Sequence, residues 1–150
     1  MRLRFVVFAA VLVFVFPLLA ADDKSPVVMT LDIDGIGAFE VSSFSWGVDQ
    51  IAGAPGGGGG VGKVVTRDLV IKKSLDKASP VLFKACATGQ HFKRAVLTVR
   101  KAGKGQQEFL VVTMSDVLIS SYSVGGDVVA PSDSVAVQAA TVSYEILVGL

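Results

Sequence analysis

Apolar and polar residues alternate one for one through most of this chain, which is the pattern of half-buried strands. Val27, Met29, Leu31 and Ile33 alternate with Val28, Thr30 and Asp32. The turn chemistry of Asp34-Gly35-Ile36-Gly37 then leads into a second strand over Phe39–Trp46. Val64–Lys73 is rich in Val, Ile and Thr and reads as a third strand, with Leu69 and Ile71 on one face and Asp68, Val70 and Lys72 on the other. Arg94–Arg100 places Ala95, Leu97 and Val99 inward, and Lys101–Gly105 turns it into Glu108–Met114. Ser115-Asp116 marks a bend or bulge, after which Val117–Val124 continues; Gly125-Gly126-Asp127 and Pro131-Ser132-Asp133 read as turns. The last strand, Val135–Val148, changes phase at Ala139-Ala140: Val135, Val137 and Ala139 give way to Ala140, Val142, Tyr144 and Ile146. A bulge is the usual cause of such a change.

One helix interrupts the strands. Ser79 offers a capping hydroxyl, Pro80 suits the first helical position and Gly89 ends the run, so a helix is expected over Pro80–Thr88. Val81, Leu82, Ala85 and Cys86 form its apolar stripe, with Lys84 and Thr88 outward. A helix this short is marginal alone and must lie against a sheet. The expected fold is mainly β: a two-sheet β-barrel or sandwich of about seven strands with one short α-helix packed alongside.

The N-terminus has a different pattern. Arg2 and Arg4 precede an unbroken apolar run from Phe5 to Leu19, and Ala20-Ala21 precede the polar Asp22-Asp23-Lys24. This is the layout of a signal peptide over residues 1–21, cleaved near Ala20-Ala21, which leaves one domain over 22–150 in a secreted or periplasmic protein. The bland alternative is an uncleaved anchor, since the run sits at the lower end of what spans a bilayer.

Charge and composition narrow the function. The chain carries 14 Lys+Arg against 13 Asp+Glu, and without Arg2 and Arg4 the balance is slightly negative. Scattered, near-neutral charge gives no concentrated basic face, which argues against nucleic acid. Cys86 is the only cysteine, so no internal disulfide exists, and its position in the apolar helical stretch suits a buried inert thiol. The only histidine, His91, is five residues away across Gly89-Gln90, which matches neither a nucleophile–base dyad nor a metal spacing.

Gly57 to Lys63 matches most of a phosphate-binding P-loop. The hydroxyl that should follow the lysine is replaced by Val64, and the β-branched Val64-Val65-Thr66 does not open a helix whose amides could face a phosphate. Nucleotide binding is not expected. Lys72, Lys73 and Lys77 with Asp68 and Asp76 read as a solvated charged face, and Asp32 with Asp34 has nothing to place it in a cleft. No catalytic, cofactor-binding or metal site emerges.

Several blocks carry a family resemblance. They are Ser45-Trp46-Gly47, the glycine run Gly56–Gly60, Gly62-Lys63-Val64, Asp68-Leu69, Lys77-Ala78-Ser79-Pro80 and Cys86-Ala87-Thr88-Gly89. His91, the stretch Ala95–Gly103, Glu108-Phe109-Leu110, Val117–Gly126 and the closing Val142-Ser143-Tyr144 continue the series. In this order, over nearly all of Met29–Tyr144, the chain resembles the Hcp (haemolysin-coregulated protein) family, which forms the tube of the bacterial type VI secretion system. The resemblance implies a barrel of two sheets with one helix, similar to phage tail-tube proteins. It also implies homohexameric rings that stack into a hollow tube, with a spike protein and small lumenal effector cargo as partners and no enzymatic activity. It further implies that the extended loop between the second and third strands, Asp49–Lys63 here, makes contacts between subunits or rings. Trp46, Gly56, Gly57, Gly58, Gly59, Gly60, Gly62 and Lys63 are therefore the expected assembly residues. The leader departs from the family pattern, whose members leave the cell through the apparatus they build. Its alternative reading is an exported Hcp-like binding or adhesion module working outside a tube.

Overall fold

The computed structural model describes residues 27–51, 62–102 and 108–147. The leader, its cleavage point, Gly56–Gly60 and the turn expected at 103–105 lie outside them. Nine strands and one helix follow in the order β1 (Val27–Ile33), β2 (Gly37–Val41), β3 (Ser43–Ser45), β4 (Val48–Ile51), β5 (Lys63–Thr66), β6 (Leu69–Ser74), α1 (Ala78–Thr88), β7 (His91–Lys101), β8 (Glu108–Gly126) and β9 (Pro131–Ile146). The expected class, mainly β with one helix alongside, is the one adopted.

Seven strands form one antiparallel sheet in the order β2-β1-β7-β8-β9-β6-β3, and β4 and β5 pair separately. The two edge strands of the large sheet, β2 and β3, are consecutive in the chain. The segment expected as one strand over Phe39–Trp46 is thus two: its first half pairs with β1 and its second with β6. The break is at Ser42, whose N–H and hydroxyl both donate to the Lys72 carbonyl at 2.8 Å. By serving both edges, this segment curls the sheet toward a barrel and leaves little free edge for unwanted pairing.

The inward faces build the core. Leu31, Ile33, Phe39, Val41, Leu69, Ile71, Leu97, Val112, Met114, Val135 and Val137 are buried, joined by Leu82 and Ala85 of α1. The helix begins at Ala78, two residues before the expected start, and its N-cap Lys77 makes no side-chain cap. Ser79 does not cap it; its hydroxyl instead accepts from the Asp76 amide at 3.1 Å. Gly89 ends the helix as expected, in the left-handed region at φ 63° with its N–H turned back to the Ala85 and Cys86 carbonyls. Val81 points out rather than into the stripe, and Phe83 is also exposed. Phe83 stacks edge-on against Tyr122 of β8, with centroids 5.8 Å apart, so an outward aromatic also fastens the helix.

Three other expectations change. The strand read over Val64–Lys73 is divided at Arg67-Asp68 into β5 and β6, which belong to different sheets. Pro131–Asp133 is not a turn but the start of β9. The inward phase of β9 does switch beyond Ala139, yet the β8–β9 register runs unshifted through Ser115↔Thr141 and Val117↔Ala139. The switch is a bend at Asp116 (φ 48°), which faces that point from β8. The bulge lies elsewhere, between Ile119 and Ser121.

Candidate functional site

The loop expected to run from Asp49 to Lys63 starts and ends as a β-hairpin. Val48↔Thr66, Asp49↔Val65, Gln50↔Val64 and Ile51↔Lys63 pair antiparallel. Alternation puts Val48, Gln50, Val64 and Thr66 on one face of this ribbon and Asp49, Ile51, Lys63 and Val65 on the other. A two-stranded ribbon cannot bury a face within itself, and Val48, Ile51, Val64 and Val65 all remain exposed.

The root of the hairpin is fastened by charge. Arg67 grips Asp49 through two N–H groups on the two carboxylate oxygens. That bidentate geometry holds the Asp49 carboxyl below its ordinary range and the Arg67 guanidinium above its own. The backbone amide of Arg67 donates to the Gly47 carbonyl at 2.9 Å. Beneath, Trp46 packs on the core with its ring edge-on to Tyr144 at 5.6 Å between centroids. The structure therefore places three expected assembly residues at the hairpin: Trp46 under its root, Gly62 leading into it and Lys63 opening β5. The other five, Gly56–Gly60, lie outside the described residues.

The same arrangement bears on the phosphate-loop pattern. Lys63 opens a strand, and Val64-Val65-Thr66 continue it, so no helix N-terminus follows the lysine. His91 meets Asp116, with Nδ1 3.0 Å from a carboxylate oxygen, while Cys86 is half-buried against the core. Among the described residues no group of three or more His, Cys, Asp or Glu gathers as a metal site.

At the opposite end of β6 lies a feature that the sequence reading missed. Lys73, expected on a solvated face, is fully buried. Its ammonium lies 2.8 Å from Asp76, 3.2 Å from Asp133, 2.9 Å from the Ser79 hydroxyl and 3.2 Å from the Ser74 carbonyl. It also sits over the Phe39 ring, 5.4 Å from its centroid. Tyr122 donates to Asp133 at 3.0 Å. Burial, with the neighbouring Asp133 carboxylate, pushes the Tyr122 phenol up. One lysine thus ties together β2, β6, the start of α1 and β9, and Asp133 extends the network to β8 through Tyr122. The signal was present in the alternation: Leu69, Ile71 and Lys73 share the inward phase, and the long lysine was read by charge instead of by phase.

Comparison with known proteins places the fold. Residues 33–146 match the family model described as "Type VI secretion system effector, Hcp". Protein hcp1 of Pseudomonas aeruginosa is 48% identical over 65 residues, a stretch covering 43% of this chain and 40% of that protein. The chain thus spans about two-fifths of that relative's length. The crystal structure of Hcp1 from Salmonella typhimurium superposes with a TM-score of 0.71 at 32% identity, covering 81% of this chain and 87% of that one. Hcp2 from Salmonella typhimurium superposes at a TM-score of 0.61 and 27% identity, covering 81% of this chain and 88% of that one. The family match takes in the helix, the hairpin root and the strands from β2 to β9, and the chain belongs to the Hcp family of type VI secretion system effectors.

Proposed function

We propose that this chain is a structural subunit that assembles with copies of itself into six-membered rings, which stack into the tube of a type VI secretion system. In this reading it has no catalytic activity, and small effectors travel in its lumen toward a spike protein. The observation that carries the reading is the family match over residues 33–146. It includes the ribbon of β4 and β5, whose apolar side chains Val48, Ile51, Val64 and Val65 are exposed. A closed ring needs a head-to-tail contact between unlike surfaces, and a projecting ribbon beside a barrel supplies one side of such a contact. The assembly role extends to Trp46, Gly62, Lys63 and Gly56–Gly60. The purified chain, examined by light scattering and negative-stain microscopy at rising concentration, should give ring-sized particles. Particles that stay monomeric at high concentration would refute the reading. Removing Gly56–Gly60 should impair rings or stacks while leaving the barrel folded.

The apolar segment before Asp22 favours a second reading, in which residues 22–150 form one exported domain that keeps the barrel but works as a binding or adhesion module. Sequencing the N-terminus of the mature protein separates the two. A chain that begins near Asp22 in the periplasm or medium supports export, and an intact Met1 in the cytoplasm supports the tube.

A further inference from the structure

The outward face of β1 and β7 carries a cleft of about 320 Å³, at the lower end of the sizes that hold small ligands. Asp32 and Asp34, which nothing in the sequence placed in a cleft, both line it, together with Thr30, Arg94, Thr98 and Arg100. Register explains this gathering. Leu31 and Ile33 of β1 and Ala95, Leu97 and Val99 of β7 are buried, so the residues between them share the opposite face. There Asp32 stands opposite Val96, Thr30 opposite Thr98 and Val28 opposite Arg100. Just past β1, the Asp34 N–H donates to the Arg94 carbonyl at 3.0 Å, which sets the two residues side by side.

The charges at this end do not neutralise one another. Residues diagonal to each other on adjacent strands stand about 7–8 Å apart, within reach of a long side chain. Even so, the side chains of Asp32, Asp34 and Arg94 make no hydrogen bond or ion pair among the described residues. Other exposed charges do find partners, as Arg67 does with Asp49 and His91 with Asp116. Arg100, six residues along β7 from Arg94 and so roughly 20 Å away, lies 3.6 Å from Glu108. With that pair set aside, two carboxylates face one guanidinium, an excess of one negative charge.

The ligand that complements three such groups carries one anionic and two cationic ends. A polyanion is repelled by the two carboxylates, and a bare metal ion by Arg94 beside them. An α-amino acid with a basic side chain meets all three. Its carboxylate fits the paired N–H groups of an arginine, and its two ammonium groups fit the aspartates. Its methylene stem is matched by Val96 and by the methyl groups of Thr30 and Thr98. Paired strands are about 4.8 Å apart, so one such molecule reaches both β1 and β7.

We propose that the β1–β7 cleft binds a free basic amino acid, with lysine as the type, its carboxylate on Arg94 and its two ammonium groups on Asp32 and Asp34. The site is built from the barrel wall of a single chain and does not rest on the tube reading. Exposed ion pairs contribute little singly, so the binding is weak and salt screens it.

The test is equilibrium dialysis of the full chain against radiolabelled L-lysine at low salt. It should show saturable binding of one lysine per chain, lost in about 1 M salt. L-glutamate should compete poorly, and so should lysine methyl ester, which lacks the carboxylate. Asp32→Asn, Asp34→Asn and Arg94→Gln should each weaken lysine about two- to fivefold. Lys72→Gln, exposed on β6, should leave it unchanged. Asp32→Lys turns the excess of one negative charge into one positive, so glutamate should then bind more tightly than lysine. No saturable binding at about 10 mM lysine, equal competition by glutamate or the methyl ester, or an Asp32→Lys chain that keeps the wild-type preference would overturn the proposal. Nα-acetyllysine that competes as well as lysine would assign the cleft to the carboxy-terminal lysine of a peptide and overturn the free amino acid.

Discussion

Replacing Lys73 with methionine tests what holds the helix end of the barrel together. The substitution keeps an unbranched side chain of similar length and removes the ammonium from Asp76, Asp133 and Ser79. Asp76 is partly exposed and can turn to water, but the Asp133 side chain has no exposure. After the substitution its remaining described partner is the Tyr122 hydroxyl. Its second oxygen already lacks a hydrogen bond in the wild type, so nothing in place takes over from the lysine. Removing one member of a buried ion pair costs about 3–5 kcal/mol, mostly because the other charge is stranded. That is a large part of the roughly 5–15 kcal/mol stability of a domain. At about 2–4 °C per kcal/mol, the thermal midpoint should fall by roughly 6–20 °C.

The stranding argument makes a second demand. If the loss comes from the orphaned carboxylate and not from absent lysine packing, then Lys73→Met combined with Asp133→Asn should be more stable than Lys73→Met alone. The coupling expected between two groups in contact is about 0.5–3 kcal/mol. Urea titration followed by fluorescence of Trp46, the sole tryptophan, gives all four corners of the cycle, with an unchanged m-value as the check that the unfolded state is the same. Additive losses, or a Lys73→Met cost below about 1 kcal/mol, would show that the cluster is held by packing and that its charges are incidental.

Asp76 connects the same cluster to pH. Burial works to raise its carboxyl, but the Lys73 ammonium and the Ala78 and Ser79 amides outweigh it and hold the group below its ordinary range. Its contribution is therefore present above the unfolded carboxylate value near 4 and is lost as pH falls through the folded value. The wild-type urea midpoint should drop on acidification below about pH 4, and Asp76→Asn should flatten that limb; an unchanged slope would remove Asp76 from the account. Gly89→Ala, at φ 63° with open space around the missing Cβ, should cost about 1–2 kcal/mol from backbone strain alone, read as a lower urea midpoint. Asp116, at φ 48°, sets a contrast at one position. Asp116→Gly should be near neutral and Asp116→Val clearly destabilising, and the reverse order would mean that the bend owes more to the His91 contact than to the backbone.

What could be read from the sequence follows from what alternation encodes. Period-two patterning finds strands and their inward faces, and β1, β7 and most of β8 were legible because each buries one face along its length. It does not say which strand pairs with which, so two strands could look like one. Phe39–Trp46 runs on as a single apolar-patterned segment although Ser42 divides it between two edges of the sheet. Val64–Thr66 is as β-rich as Leu69–Ile71, yet it leaves the barrel to pair with Val48–Ile51. Only the four exposed residues of β5 mark the difference, and exposure is not written in a valine. Lys73 failed for the opposite reason: its phase placed it inside, and its charge overrode the phase in the reading. Two of its partners, Asp76 and Ser79, follow it within six residues, whereas the fully buried one, Asp133, is sixty residues away. The assembly role proposed for Trp46, Gly62 and Lys63 rests on family resemblance alone, since no composition or spacing there distinguishes a docking ribbon from a solvated turn.

The line where the barrel bends shows how one residue's backbone can set the phase of three strands. In β7 the buried positions pass from Phe92 to Ala95, in β8 from Met114 to Val117 and in β9 from Val137 and Ala139 to Val142. Register aligns these switches, because Phe92 pairs with Val117, Arg94 with Ser115, Ser115 with Thr141 and Val117 with Ala139. Lys93, Asp116 and Ala140 are left as one unpaired row across the sheet. Only Asp116 among the three takes a positive φ, so the turn of the chain there is the local cause, and its neighbours follow to keep their ladders. Aspartate accepts that region more readily than most residues, and here its carboxylate also meets His91 on the adjacent strand. A bulge would have displaced one strand against its partners and spoiled the pairing beyond it. A shared bend instead re-aims all three strands together, so a long β8 can serve the core at both ends of the barrel. Its far end then carries the β8–β9 turn clear of the core, opposite the ribbon that begins above Trp46.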